Sequence, residues 1–373
     1  MILGSNPKAQ YAAHKAAIDA AIARTLAAGR YVLGEEVAAF EREFAAYCGL
    51  AHGIGVNSGT DALILALRAL RIGAGDEVIT VSHTAVATVA AIVAAGAQPV
   101  LVDIDPSTFT IDPAAVERAV GSKTRAIIPV HLYGLPADMN AIMAIAERHG
   151  LKVIEDCAQA TGARYRGLRV GSIGHVGCFS FYPTKNLGAI GDGGMIVTSD
   201  YELGERARRL RQYGWDEERS SRLDGVNSRL DEIQAAILRV KLPYLDAANG
   251  LRAQIAEFYR NALASSDVIG PASPAGREHV YHLYVVRCAS RDKTLAALHG
   301  AGIVAGIHYP VPVHMQPAFL GRGFDRWPMP HSEQAAAQVL SLPIYPELAR
   351  IDMEAVVAAL RVRAPLAEAV SRS

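Results

Sequence analysis

The sequence predicts an α/β fold, a mostly parallel sheet covered by helices on both faces, followed by a smaller C-terminal α+β domain. Three observations predict it. Short β-type runs alternate with helix-period segments over the first two-thirds of the 373 residues, the pattern of strand–helix–strand units. Residues 78–102 carry no formal charge and change from β-type to helix-like and back, as expected of a unit buried on both sides. After Leu223 helix formers dominate, and beyond Gly270 the pattern becomes mixed.

In chain order, Val37, Phe40, Phe44 and Tyr47 mark one face of a helix that stops at Gly49. Residues 54–56 read as strand and 60–70 as helix. The uncharged stretch supplies a strand at 78–81, a helix at 85–95 and a strand at 99–102. It is long enough to span a bilayer. However, Ala and Val outnumber Leu and Phe there, and His83, Gly96, Gln98 and Pro99 interrupt it, so a buried unit is the reading. Further β-type runs lie at 126–130, 152–155, 177–181 and 195–198, with a helix pattern at 137–149. A helical stretch over 230–263 is interrupted at Pro243, where a break is expected. A β-type run at 281–287 and a Pro-rich passage at 309–317 follow. These features place a large domain at 1–243 and a small one at 244–373.

Composition excludes several classes. Hydrophobic residues make up 51%, enough for a packed core. Lys+Arg and Asp+Glu balance at 37 each, leaving no basic stripe to displace the counterions of a nucleic acid. Residues 1–10 lack a basic segment followed by an apolar one, so secretion and membrane insertion are not indicated. Cys48, Cys157, Cys178 and Cys288 are scattered with no C-x-x-C pair, which fits buried thiols in a reducing cytoplasm. No G-x-G-x-x-G follows a strand, since Gly53-Ile54-Gly55 precedes Val56, which argues against a dinucleotide-binding oxidoreductase.

Three segments carry candidate chemistry. Asn57-Ser58-Gly59-Thr60-Asp61 joins a strand to a helix. Gly59 permits close backbone approach, and the helix start favours an anion, although an N-cap serine alone also explains the pattern. Asp156 ends a hydrophobic strand, where open α/β sheets place ligands. A carboxylate there needs a cationic partner or else caps the following turn. Lys185 follows the strand-like Phe179-Ser180-Phe181 and is hemmed in by Pro183 and Gly188. Apolar surroundings turn such a lysine into an amine nucleophile. An amine, an acid and an anion cradle are what pyridoxal phosphate requires for its aldehyde, ring nitrogen and phosphate.

With these motifs the chain resembles the DegT/DnrJ/EryC1/StrS family of fold-type-I PLP-dependent aminotransferases. The likeness runs from Tyr31-Val-Leu-Gly-Glu-Glu-Val to Leu342-Pro-Ile-Tyr-Pro. It includes Glu155-Asp-Cys-Ala-Gln-Ala, Phe179-Ser-Phe-Tyr-Pro-Thr-Lys, Asn227-Ser-Arg-Leu-Asp-Glu-Ile-Gln-Ala-Ala and His308-Tyr-Pro-Val-Pro-Val-His. The resemblance implies that Lys185 binds the aldehyde of pyridoxal 5'-phosphate and shuttles the proton. Asp156 is implied to pair with the ring nitrogen and Gln159 to reach the ring hydroxyl. Gly59, Thr60 and Ser180 are implied to hold the phosphate. Asn227 matches a residue that reaches the phosphate from a neighbouring subunit, which implies a homodimer with shared active sites. Where members carry an aromatic residue that stacks on the cofactor, this chain has Ala85, and His83 is expected to supply the ring instead. His308 and Tyr309 are expected to contact the substrate. His308 and His314, six apart with no nearby Cys or carboxylate, do not make a metal site.

The implied reaction moves an amino group from an amino acid, glutamate, to a nucleotide-linked keto sugar, a dTDP-3-keto-6-deoxyhexose. Relatives acting on 4-keto sugars or scyllo-inosose are alternatives. So is a PLP-dependent sugar dehydratase of the same fold, but dehydratase relatives replace the lysine with histidine or cluster their cysteines. Here Lys185 is present and the cysteines are dispersed.

Overall fold

The computed structural model describes residues 1–361; the last part of the 244–373 assignment, residues 362–373, lies outside them. Seven strands form the central sheet: β1 (His52–Val56), β2 (Glu77–Val81), β3 (Gln98–Val102), β4 (Thr124–Ile127), β5 (Lys152–Asp156), β6 (Val176–Ser180) and β7 (Gly194–Thr198). Their spatial order is β1-β7-β6-β5-β4-β2-β3. β7 runs antiparallel to both its neighbours, and all other pairings in the sheet are parallel.

Both faces are buried, as the runs of apolar residues require. Val78 in β2 packs with the helices Gly59–Ala69 and Val86–Ala94. Its neighbours Ile79 and Val81 point the other way, toward the helices Pro113–Ala119 and Met139–His149. The uncharged stretch is therefore a strand–helix–strand unit inside the sheet layer. Among the described residues no helix is long and apolar enough to cross a membrane. The aromatic face read from the sequence belongs to the helix Glu35–Cys48, where Phe40 and Phe44 pack against Phe181. That helix ends with Gly49 in the left-handed region at φ 77. All four cysteines are buried.

Around Pro243 the chain passes from the helix Glu232–Lys241 through a single 3-10 turn, Leu242–Tyr244, into the helix Leu245–Ala262. A further cluster gathers Ile255, Tyr259 and Val356 over a two-stranded antiparallel sheet, β8 (Tyr284–Arg287) and β9 (Val339–Leu342). The N-terminus joins this cluster: Ile2 bridges Ile303, and its amide donates to the Gly302 carbonyl at 2.9 Å. The passage containing His308 and Tyr309 then returns across the sheet, where the Val313 amide donates to the Ser82 carbonyl at 2.9 Å.

Candidate active site

The parallel strands deliver their carboxyl ends to one edge of the sheet, and the polar residues cluster there. Ser58 follows β1, Thr84 follows β2, Val130 follows β4, Asp156 ends β5 and Ser180 ends β6. All five line one cavity of about 350 Å³, within the range that holds small ligands. Gly59, Thr60, Gln159, Lys185, His308 and Tyr309 line it too.

Lys185 reaches it from a tight turn. Its amide donates to the Tyr182 carbonyl at 2.8 Å. A side chain at Gly188 would put a Cβ 2.4 Å from the Pro183 carbonyl oxygen, so the turn closes only with glycine there. Asn186 anchors it to the following segments, donating to the Asn249 side chain at 2.7 Å and to the Val280 carbonyl at 2.9 Å. Burial lowers the Lys185 amine from 10.5 to about 8, and the nearby Asp156 charge opposes that fall. The amine is therefore partly neutral near physiological pH.

Asp156 is buried, and burial raises its carboxyl above the ordinary range. Two donors work against this. The Thr88 hydroxyl donates to Oδ2 at 2.8 Å and the Ala158 amide to Oδ1 at 3.1 Å. Lys185 and His131 add favourable charge interactions. Sequence reasoning missed Thr88. Its signal was the spacing of Thr84 and Thr88, four apart and so on one face of an apolar segment; their hydroxyls lie 3.3 Å apart.

The helix Gly59–Ala69 points its N-terminus at the cavity. Ser58 caps it, accepting from the Asp61 amide at 3.1 Å. A helix start leaves its first amides without intrahelical acceptors, so those of Gly59 and Thr60 face an anion site. A Cβ at Gly59 would fall 2.6 Å from the Ser180 Cβ, so glycine lets the cradle close onto β6. Gln159 is fixed from two sides: Oε1 accepts from the Tyr133 amide at 2.7 Å, and Nε2 donates to the Tyr309 hydroxyl at 3.0 Å. One Nε2 hydrogen is left for a ligand.

One expected residue is placed differently. His83 is fully buried and off the cavity lining, so the ring expected over the cofactor is not supplied by this residue. Its Nε2 lies 2.8 Å from the Tyr133 hydroxyl, and its ring packs beside Phe109 and Tyr133. A neutral imidazole with a single N–H goes where a buried oxygen meets it, and Thr84, Ala85 and Ala87 form the wall instead. Asn227 is exposed and does not line the cavity of its own chain. Its neighbour Ser228 is tied beside the cradle, accepting from the Asn57 amide at 3.1 Å and donating to Asp61 at 2.7 Å.

Buried His282 also lines the cavity, and no motif had marked it. Behind Asp156, His131, Glu155 and Cys157 come together with metal-like spacing. The Glu155 oxygens already accept from His131 and from the amides of Gly171, Ile173 and Gly174. The His131–Glu155 pair is a satisfied structural network, with His131 Nδ1 accepting from the Ala137 amide at 3.0 Å. His308 and His314 diverge, with their Nδ1 atoms meeting Ser341 and Ser82 respectively.

The donor set fits pyridoxal phosphate: a lysine amine of lowered basicity, a buried carboxylate held by two donors, and a helix N-terminus with free amides, all on one cavity. Comparison with known proteins agrees. The model of the DegT/DnrJ/EryC1/StrS aminotransferase family matches residues 13–361. A Streptomyces venezuelae protein named dTDP-3-amino-3,4,6-trideoxy-alpha-D-glucose transaminase is 52% identical over 355 residues, covering 95% of this chain and 94% of that one. An Acidithiobacillus ferrooxidans UDP-N-acetyl-3-dehydro-alpha-D-glucosamine 3-aminotransferase is 48% identical, covering 91% and 92%. The crystal structure of S. venezuelae DesV in complex with a ketimine intermediate superposes with a TM-score of 0.94 at 50% identity, covering 97% of each chain. By motif, cavity and relatedness over almost its whole length, this chain belongs to the DegT/DnrJ/EryC1/StrS family of pyridoxal-phosphate-dependent aminotransferases.

Proposed function

We propose that this enzyme transfers the amino group of L-glutamate to the C3 ketone of a nucleotide-linked sugar, a dTDP-3-keto-6-deoxyhexose, in amino-sugar biosynthesis. The observation that carries the chemistry is the pairing of the Lys185 amine and the Asp156 carboxylate in one cavity. The choice of C3 rests on relatives whose names specify 3-amino or 3-keto sugars.

Bound pyridoxal phosphate supplies an aldehyde that captures amines and a ring that withdraws electrons. Asp156 would hold the proton on the ring nitrogen, its carboxylate form favoured by the Thr88 and Ala158 donors against the upward pull of burial. Gly59, Thr60 and Ser180 would hold the phosphate, and the spare hydrogen of Gln159 would be available to the ring hydroxyl. In each half-reaction Lys185 Nζ would move one proton between the substrate carbon and the cofactor. The Tyr309 hydroxyl accepts from Gln159, which leaves its own proton for the substrate. Burial holds that phenol protonated, raising it to about 12. His308 stands beside it at the cavity wall.

The active unit is a homodimer in this reading, with the exposed Asn227 completing the phosphate site of the neighbouring copy. The division into domains at 243/244 is supported by the break at Leu242–Tyr244, and four dispersed, buried cysteines with no C-x-x-C pair favour a reducing cytoplasm.

The test mixes the protein and pyridoxal phosphate with glutamate, then with a panel of dTDP- and UDP-linked keto sugars, and follows the cofactor's absorbance. A glutamate-driven change to the pyridoxamine form, reversed by a dTDP-3-keto sugar, is expected. Reversal only by 4-keto sugars or by scyllo-inosose overturns the substrate. No response to any amino acid overturns the reaction.

A further inference from the structure

Tyr133, which the reaction chemistry above does not use, is the hub of a buried hydrogen-bond circuit. Its amide donates to Gln159 Oε1, and its hydroxyl donates to the carbonyl oxygen of His308. Gln159 in turn donates to the Tyr309 hydroxyl. One tyrosine therefore ties the 308–309 segment, which arrives from the C-terminal part of the chain, to the cofactor-side glutamine. Tyr133 holds a left-handed backbone at φ 60, although it is not glycine. A bulky residue stays in that region only where its contacts over-determine it.

Donor arithmetic fixes the protons of this circuit. A carbonyl oxygen only accepts, so the single Tyr133 hydroxyl proton points at His308. The Nε2 of His83, 2.8 Å from the same hydroxyl oxygen, must then carry a hydrogen and donate it. Nδ1 is left with a bare lone pair, and Nδ1 of His83 is indeed buried without a partner. The opposite tautomer would bury an unused N–H and set two lone pairs against each other. Burial lowers His83 to about 4, so the imidazole stays neutral through the physiological range.

We infer that His83 is a positioning residue for substrate binding: its Nε2–H occupies the Tyr133 hydroxyl oxygen, directs the Tyr133 proton onto the His308 carbonyl, and so seats the His308–Tyr309 segment against the sugar-nucleotide site. The chain from His83 to the substrate runs through one oxygen and one carbonyl, with no contact between His83 and the cavity. The assignment rests on the proposed function only in taking 308–309 as a substrate-contacting segment.

The test compares the holoenzyme with His83→Leu, His83→Gln and Tyr133→Phe. Hydrogen–deuterium exchange across residues 304–314 reads the seating directly, and KM for the accepted keto sugar against KM for glutamate reads its consequence. His83→Leu removes one neutral buried hydrogen bond, so exchange across the segment and KM for the keto sugar should each rise about three- to tenfold. Turnover and the glutamate KM should stay near wild type. His83→Gln, whose amide nitrogen reaches the Nε2 position, should stay within about twofold of wild type, and Tyr133→Phe should match or exceed His83→Leu.

Unchanged exchange in His83→Leu overturns the inference. So does a His83→Gln variant as impaired as His83→Leu, because packing rather than the N–H would then be responsible. If His83→Leu does not fold, Tyr133→Phe decides, and wild-type exchange in that variant overturns the inference. A wild-type enzyme that takes no amine from glutamate defeats the proposed reaction, while the exchange comparison still judges the role of His83.

Discussion

In the proposed reaction Lys185 captures the cofactor aldehyde through its neutral amine, and burial sets the pH at which that form is present. Burial brings the amine from 10.5 to about 8, with the Asp156 charge holding it from falling further. At pH 7 a group titrating at 8 is neutral in about one molecule in ten, whereas at 10.5 the fraction is about one in three thousand. Cofactor-free enzyme should therefore capture pyridoxal phosphate about 300-fold faster at pH 7 than an unperturbed lysine of equal reactivity. The capture rate should rise with pH and level off above about 8. Asp156→Asn removes the opposing charge, so its profile should level off at a lower pH, even though the variant loses transamination. Stopped-flow absorbance of cofactor-free wild type and Asp156→Asn, mixed with pyridoxal phosphate from pH 6 to about 10.5, measures both. A wild-type rate still climbing toward 10.5, or an Asp156→Asn midpoint above that of wild type, would refute the electrostatic account.

Other outcomes follow from the same contacts. Thr88→Val removes a hydroxyl donor from buried Asp156; turnover should fall at least about tenfold and the acidic limb of the pH–rate profile should move to higher pH. Gly188→Ala forces a Cβ to within 2.4 Å of the Pro183 carbonyl oxygen, so urea denaturation should show a loss of about 1–3 kcal/mol together with weakened cofactor binding. Gly250→Ala, in the middle of the helix Leu245–Ala262 with open space around its Cβ position, should gain about 0.5–1 kcal/mol with activity unchanged. If Asn227 serves the neighbouring copy, inactive Lys185→Ala and impaired Asn227→Ala proteins should regain about a quarter of wild-type activity when their subunits are exchanged. No recovery would place Asn227 in its own subunit's site.

The sequence by itself determined the alternation of strands and helices, the break at Pro243 and most of the polar residues that share the cavity. Each of these is a local matter. Apolar runs such as 78–81 and 195–198 form buried strands whatever lies beside them. Asp156, Gln159, Ser180 and Lys185 sit at fixed offsets from strand ends, so the edge of the sheet gathers them into one cavity. Tertiary structure decided what those residues lean on. The antiparallel placement of β7 between β1 and β6 has no signature in its own five residues. Thr88 meets Asp156 across 68 positions, and the Tyr133 hydroxyl meets the His308 carbonyl across 175. His83 shows the difference most plainly. Its sequence position beside Ala85 put it over the cofactor, but burial at the end of β2 left its lone N–H one accessible oxygen, that of Tyr133. A polar group enclosed by packing takes the partner that geometry offers, and only the folded chain specifies which one that is.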